Sequence, residues 1–226
     1  MKHIFGVLIV AAVAGAGWWY ALRPVAAPSV ADIAPVSAED AAGPGPAQPL
    51  YEVVGEKSSA QFSIYEMLRG KPFTAVGKTG TVSGSMELDL ENLAVSNLGT
   101  VRINARTLTT DSENRDRATA RFILESEKPE NEFIEFVMES IVPGATSSVS
   151  IAGNLVIRGT AKPAIFAGTL IREKDGAVHI VARAEIKRSD YGLTIPDIPF
   201  IADVADIVGL EADIIMREVE VQEKSE

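Results

Sequence analysis

From Tyr51 onward, run after run of the chain alternates apolar with polar residues, and this period of two restricts the fold more than any other feature. Val82, Gly84, Met86 and Leu88 alternate with Ser83, Ser85, Glu87 and Asp89. Val101, Ile103 and Ala105 do the same against Thr100, Arg102 and Asn104, as do Ile134, Phe136 and Met138 against Glu135, Val137 and Glu139. Val149, Ile151, Gly153, Leu155 and Ile157 form a further row. Val178, Ile180, Ala182, Ala184 and Ile186 form another, opposite His179, Arg183, Glu185 and Lys187. Successive strand side chains point to opposite faces, so each run is a half-buried strand with one apolar face. Asp175-Gly176 between two runs signals a tight hairpin. Less regular strands are expected at Tyr51–Val54, Ser59–Glu66, Ala164–Arg172 and Ile207–Val219. A short helix capped by Asp111 or Ser112 is expected to run through Arg115, Ala118 and Phe122, and Pro129 forbids its continuation. About eight or nine strands with hairpin connections predict an all-β fold, an antiparallel barrel or sandwich.

The first 50 residues read differently. Lys2 and His3 precede an apolar run, Ile4–Leu22, of 19 residues, and Arg23-Pro24 closes it. Such a run is long enough to cross a bilayer as a helix, and Trp18, Trp19 and Tyr20 sit at its far end, where amphipathic rings favour the interface. A cleaved secretory peptide is the competing reading, with Ala14-Gly15-Ala16 as the cut site. Residues 1–24 are therefore a signal peptide or a signal anchor, and both send the remaining chain across a membrane. Residues 25–50, rich in Ala and Pro, hold no period and read as a linker with a reach on the order of 70 Å if extended. Residues 51–226 form the domain.

Composition then removes whole classes of chemistry. Lys and Arg total 21 against 31 Asp and Glu, a net charge of −10, which phosphate backbones repel. There is no cysteine, so disulfides, thiol catalysis and cysteine metal sites are out. His3 and His179 are the two histidines, and His179 falls on the polar side of its strand. Gly77-Lys78-Thr79 lacks the earlier glycine of a phosphate loop, Pro72 standing there, and runs into a strand rather than a helix. No Gly-x-Ser-x-Gly elbow occurs. Asp203 with Asp206, and Glu211 with Asp213, read as solvated strand faces. Asp111, Glu113, Arg115, Asp116 and Arg117 read as a salt-bridged surface turn. These residues point away from covalent chemistry and from a metal site.

Several local patterns together resemble one family. Val76-Gly77-Lys78-Thr79 followed by Val82, Gly84 and Met86-Glu87-Leu88-Asp89 is similar to the opening strands of YceI-like proteins. So is Leu108-Thr109-Thr110-Asp111 with Arg115-Asp116 and Arg121-Phe122. Gly153-Asn154-Leu155-Val156-Ile157-Arg158-Gly159-Thr160-Ala161-Lys162-Pro163 resembles that family's hairpin, and Arg188-Ser189-Asp190-Tyr191-Gly192 its late turn. The order is kept over most of residues 51–219. Departures are Ala118, where the family often has histidine; Phe122-Ile123, where two aromatics are common; and an apolar last loop, Ile195 to Ile201.

The resemblance implies a lipocalin-like antiparallel β-barrel whose lumen holds a long isoprenoid chain, typically in the bacterial periplasm. It implies no catalytic machinery and no cofactor other than the bound lipid. The expected function is carriage or sequestration of an isoprenoid quinone or polyprenyl phosphate. The inward rows then supply the lumen: Phe62, Ile64, Val82, Met86, Leu88, Ile103, Phe122, Phe136, Ile151, Leu155, Val178, Ile180, Tyr191 and Leu193. Expected partners are the isoprenoid lipid and the inner membrane through residues 4–22, with a respiratory membrane complex and a second copy of the chain as further candidates. If the leader is cleaved, the domain is soluble in the periplasm. A second expectation is a tethered interaction module whose barrel is filled by its own side chains and docks to a respiratory complex. A weaker third is a hydrolase using His179 with an acid.

Overall fold

The computed structural model describes residues 26–28, 48–196 and 201–219. The apolar run Ile4–Leu22 and most of the linker lie outside the described residues, as do residues 197–200 of the last loop. No helix among the described residues is long and apolar enough to cross a membrane.

The strands are β1 (Leu50–Val53), β2 (Ser59–Leu68), β3 (Lys71–Thr79), β4 (Val82–Glu87) and β5 (Thr100–Asn104), then, after the short helix α1 (Glu113–Ala118), β6 (Phe133–Pro143), β7 (Ser148–Ile157), β8 (Thr160–Arg172), β9 (Val178–Lys187), β10 (Ile201–Ala202) and β11 (Ile207–Val219). All their pairings are antiparallel. The hydrogen-bonded order β1-β4-β5-β6-β7-β8-β9-β11 closes on itself through β11 and β1, making an eight-stranded barrel. Closure matters because it leaves these eight strands without a free edge and encloses their apolar faces.

One strand has a divided edge. The last residues of β11, Met216–Val219, pair with β1, while Val208–Asp213 pair with β2. A 3₁₀ turn at Gly55–Lys57 separates the two partners. The β2–β3 hairpin therefore flares from the ring at one end, and among the described residues β3 pairs with β2 alone apart from a bridge between Lys78 and Thr109. The segment between β5 and β6, which includes α1 and a π-helical turn at Thr119–Ile123, packs beside that flare. The Thr79 and Thr107 hydroxyls meet at 2.6 Å, and Glu66 of β2 pairs with Arg115 of α1.

The hairpin turns explain how the flared end is shaped. Arg69-Gly70 joins β2 to β3 and Arg158-Gly159 joins β7 to β8, with φ of 51° and 73° in the first and 51° and 70° in the second. Two successive left-handed residues make the turn whose twist matches the flanking strands, and glycine takes the second position without steric cost. Arg158 is held there by its guanidinium, which donates to the Ile123 carbonyl at 3.1 Å and to Glu125 at 2.5 Å.

The inward rows predicted from alternation are the buried rows observed. The opposite end is solid core: Tyr51, Leu88, Val178 and Met216 are at most 2% exposed and lie where β1, β4, β9 and β11 meet. Strand β3 is the element alternation did not reveal. Its inward residues include Ala75, Gly77 and Thr79, too small or polar to stand out as a hydrophobic row.

Candidate functional site

Above the solid core the barrel encloses a cavity of about 570 Å³. Its wall is built by alternation: β2 contributes Ala60, Phe62, Ile64, Glu66 and Leu68, every second residue of one strand. On the far wall, the Phe136 and Phe166 rings meet at 4.8 Å between centroids, tilted by 58°.

The space has a local cause. Ala60 pairs with Ala212, and Ala212 with Ala182, so three alanines lie side by side across β2, β11 and β9, and all three face the cavity. The other small residues of the inward rows, Gly84, Gly153, Ala105 and Ala184, do not make this space. Gly84 and Gly153 let backbones approach: a Cβ at Gly153 would lie 2.2 Å from the Val137 carbonyl oxygen, and one at Gly84, where φ is 150°, 2.5 Å from that of Thr100. Neither they, Ala105 nor Ala184 belongs to the cavity wall.

Of the residues expected in the lumen, Phe62, Ile64, Met86, Ile103, Phe136, Ile151, Leu155, Ile180 and Leu193 are on the wall. Val82, Leu88, Val178 and Tyr191 are buried in the continuous core but off the wall. Burial, followed by the neighbouring Asp190 charge, pushes the Tyr191 phenol above its usual range. Phe122 is 43% exposed and faces away. The π-helical turn is the reason. An extra residue per turn shifts the helical phase, so Ala118, Thr119, Ile123 and Leu124 face the cavity in its place. Among the wall residues that the alternation did not single out for the lumen, Val208, Leu210, Ala212 and Ile214 form a row on β11.

The mouth is polar, and its charged residues were not anticipated there. Glu66 occupies an inward position of β2, with its side chain 6% exposed. Arg115, read as part of a surface turn, reaches it at 2.8 Å and also pairs with Asp111. The guanidinium lies over the Phe73 ring at 5.3 Å, and its Nε is buried without a hydrogen-bond acceptor. In the rest of the turn Glu113 pairs with Arg117 as expected, while Asp116 accepts instead from the Thr110 amide at 2.8 Å and hydroxyl at 2.6 Å. Arg188 also lines the mouth, donating to the carbonyls of Ala205 and Leu193.

The other titratable candidates are structural. His179 Nε2 lies 2.8 Å from Asp213 and Nδ1 lies 3.6 Å from Glu173, away from the cavity. Glu211 pairs with Arg183 at 2.7 Å. Asp206 accepts from the Ser189 hydroxyl at 2.7 Å and amide at 3.0 Å, bonds that hold its carboxyl below the usual range. Among the described residues no cluster of His, Asp and Glu is arranged to hold a metal ion.

The family model of the YceI-like domain matches residues 51–216. No curated protein matches the chain in sequence. Among solved structures, BcnA of Burkholderia cenocepacia superposes with a TM-score of 0.60 at 17% identity, over 72% of this chain and 98% of that one. A polyisoprenoid binding domain from Saccharophagus degradans, implicated in plant cell wall breakdown, superposes with a TM-score of 0.61 at 10% identity, over 76% of this chain and 100% of that one. At these identities the likeness is one of fold, and the sequence match over the barrel supplies the kinship: the chain belongs to the YceI-like domain family.

Proposed function

We propose that this protein binds the tail of a long-chain isoprenoid lipid in the barrel lumen, and carries or sequesters that lipid in the periplasm, with residues 4–22 as anchor or leader. The observation that carries the reading is the apolar cavity of about 570 Å³ with its polar rim. Its volume lies within the range of small-molecule sites, roughly 300–1,000 Å³. Each buried methylene contributes about 0.8 kcal/mol, so one five-carbon unit contributes on the order of 3 kcal/mol before ordering costs. Membership of the YceI-like family supports it, as does the likeness to a Saccharophagus domain described as polyisoprenoid binding. A barrel filled by its own side chains, which the interaction-module expectation requires, has no such cavity.

The test is native mass spectrometry of the full chain purified from the expressing cells, followed by organic extraction. A stoichiometric adduct that yields a lipid with a repeating five-carbon mass supports the reading. A chain that carries no lipid, and takes up neither isoprenoid quinones nor polyprenyl phosphates when offered them, overturns it.

A further inference from the structure

The linker touches the barrel well before the strand it leads into. Arg106 Nη1 donates to the Ala27 carbonyl at 2.9 Å, and Ala26 beside it is half-buried, whereas β1 begins only at Leu50. Resting on the reading of residues 4–22 as an anchor, we infer that this contact fastens the tether at the open end of the barrel and so turns the cavity mouth toward the bilayer.

The two contacts lie at opposite ends of the barrel. Leu50 pairs with Glu87 and Val219, beside the solid core. Arg106 follows the other end of β5, where Asn104 pairs with Phe133, and its remaining donors hold the Ser126 and Glu127 carbonyls. That stretch continues directly from Ile123 and Leu124 of the cavity wall, and Glu125 meets Arg158 in the β7–β8 turn. Ala27 is therefore held at the mouth end. The contact is prepared on both sides. Glu132 and the two carbonyls already fix the Arg106 guanidinium, so its donor to Ala27 has little freedom left to lose. Ala27 precedes Pro28, which confines it to extended backbone before it docks.

Reach then sets the orientation. The apolar run ends at Leu22, and five residue steps lead from it to Ala27, a span of at most about 18 Å. A tether free until Leu50 would reach on the order of 95 Å and leave the barrel to tumble. The thirteen residues of β8 run from the mouth to the closed end, about 30 Å along the axis once strand tilt is allowed for. Fastened at Ala27, the mouth is the nearer end, and a lipid tail leaving the bilayer crosses a short gap instead of open water. Tyr65, Phe122 and Ile207 are exposed around that end, and amphipathic rings suit a membrane–water interface. Charge does not supply the orientation, because exposed Arg69 and Lys71 share the rim with exposed Asp111 and Glu113.

The chain has no cysteine, so a single introduced cysteine carries a fluorophore at a chosen point. Lys71→Cys places it beside the β2–β3 turn at the mouth, and Lys174→Cys places it in the β8–β9 turn at the closed end; both positions are exposed and neither lines the cavity. The full chain is reconstituted in vesicles of phosphatidylethanolamine and phosphatidylglycerol that contain an acceptor-labelled lipid. Energy transfer is expected to put position 71 nearer the bilayer than position 174 by about 30 Å. About twenty Gly-Ser residues inserted between Pro24 and Val25 add roughly 25 Å of random-coil span and are expected to abolish that difference. The same insert between Ala41 and Ala42, on the barrel side of Ala27, is expected to preserve it. Both inserts lie outside the barrel, so its folding is not at stake. Equal distances for the two labels without an insert overturn the inference, and so does the same response to both inserts. A chain that does not stay with the vesicles overturns the anchor reading and the inference together. Lipid in the lumen is decided separately, by native mass spectrometry.

Discussion

Removing Arg106 is expected to be the most damaging single change outside the apolar core. Its Nη1 lies 2.7 Å from Glu132, and the two side chains are only 8% and 5% exposed. Its Nε donates to the Ser126 carbonyl at 2.6 Å and its Nη2 to that of Glu127 at 3.1 Å. One guanidinium thus ties the end of β5 to the segment that brings Thr119, Ile123 and Leu124 to the cavity. Arg106→Met leaves Glu132 as a buried carboxylate supported by Asn104 Nδ2 at 2.8 Å. Breaking a buried pair from one side costs about 3–5 kcal/mol, a large share of the roughly 5–15 kcal/mol that holds a domain together. Adding Glu132→Gln removes the charge that faced Arg106 and keeps an acceptor for Asn104, so the double variant is expected to depart from additivity by about 1.5 kcal/mol or more. Urea unfolding followed by far-ultraviolet circular dichroism measures this. Tryptophan fluorescence does not serve, because both tryptophans, Trp18 and Trp19, precede the barrel. A loss below about 1 kcal/mol for Arg106→Met, or strict additivity in the double variant, would refute the reasoning.

Two glycine substitutions separate backbone contact from side-chain contact. A Cβ at Gly168 would lie 1.9 Å from the Val181 carbonyl oxygen and 2.6 Å from Ala182 Cα, so Gly168→Ala should cost about 2–3 kcal/mol. A Cβ at Gly77 would meet the Phe62 ring at 2.2 Å, and a ring can swing aside, so Gly77→Ala should stay within about 1 kcal/mol of the unaltered chain. Equal urea midpoints for the two variants would contradict this. Hydrogen bonds from the Ser189 hydroxyl and amide lower the Asp206 carboxyl, so the stability it lends is present above the ordinary aspartate pKa of about 3.9 and fades as pH falls through its lower folded value. Carboxyl-carbon NMR should place its midpoint below about 3.9 and show Ser189→Ala raising it; a midpoint at the ordinary value would count against the contact.

How much of this was legible in the sequence depended on how far each signal travels along the chain. The inward rows of β4, β7 and β9 could be read residue by residue, because side-chain alternation is a local property of a strand. Height along the barrel is not local. Val178 and Ile180 share one face of β9, yet the first lies in solid core and the second on the cavity wall. Which of them meets open space depends on neighbours such as Met216, paired with Val178 across the sheet. Phe122 was misplaced because a period of 3.6 was carried through a turn that is π-helical. The mouth was the least legible part. Glu66 and Arg115 are 49 positions apart, and their meeting follows from the flare of the β2–β3 hairpin, which no short window encodes.

That flare leaves β3 with a row of backbone groups facing outward, an invitation for another chain to add a strand. Lys78 donates its amide outward to Thr109, so the even-numbered residues of β3 direct their N–H groups away from β2. Pro72 occupies one of these positions and has no N–H to offer, while Lys71 and Lys78 stand exposed on the same strand. A recruited strand would find one donor missing and two ammonium groups to approach, so strand-by-strand polymerisation is opposed at the edge where the barrel is otherwise most open to it.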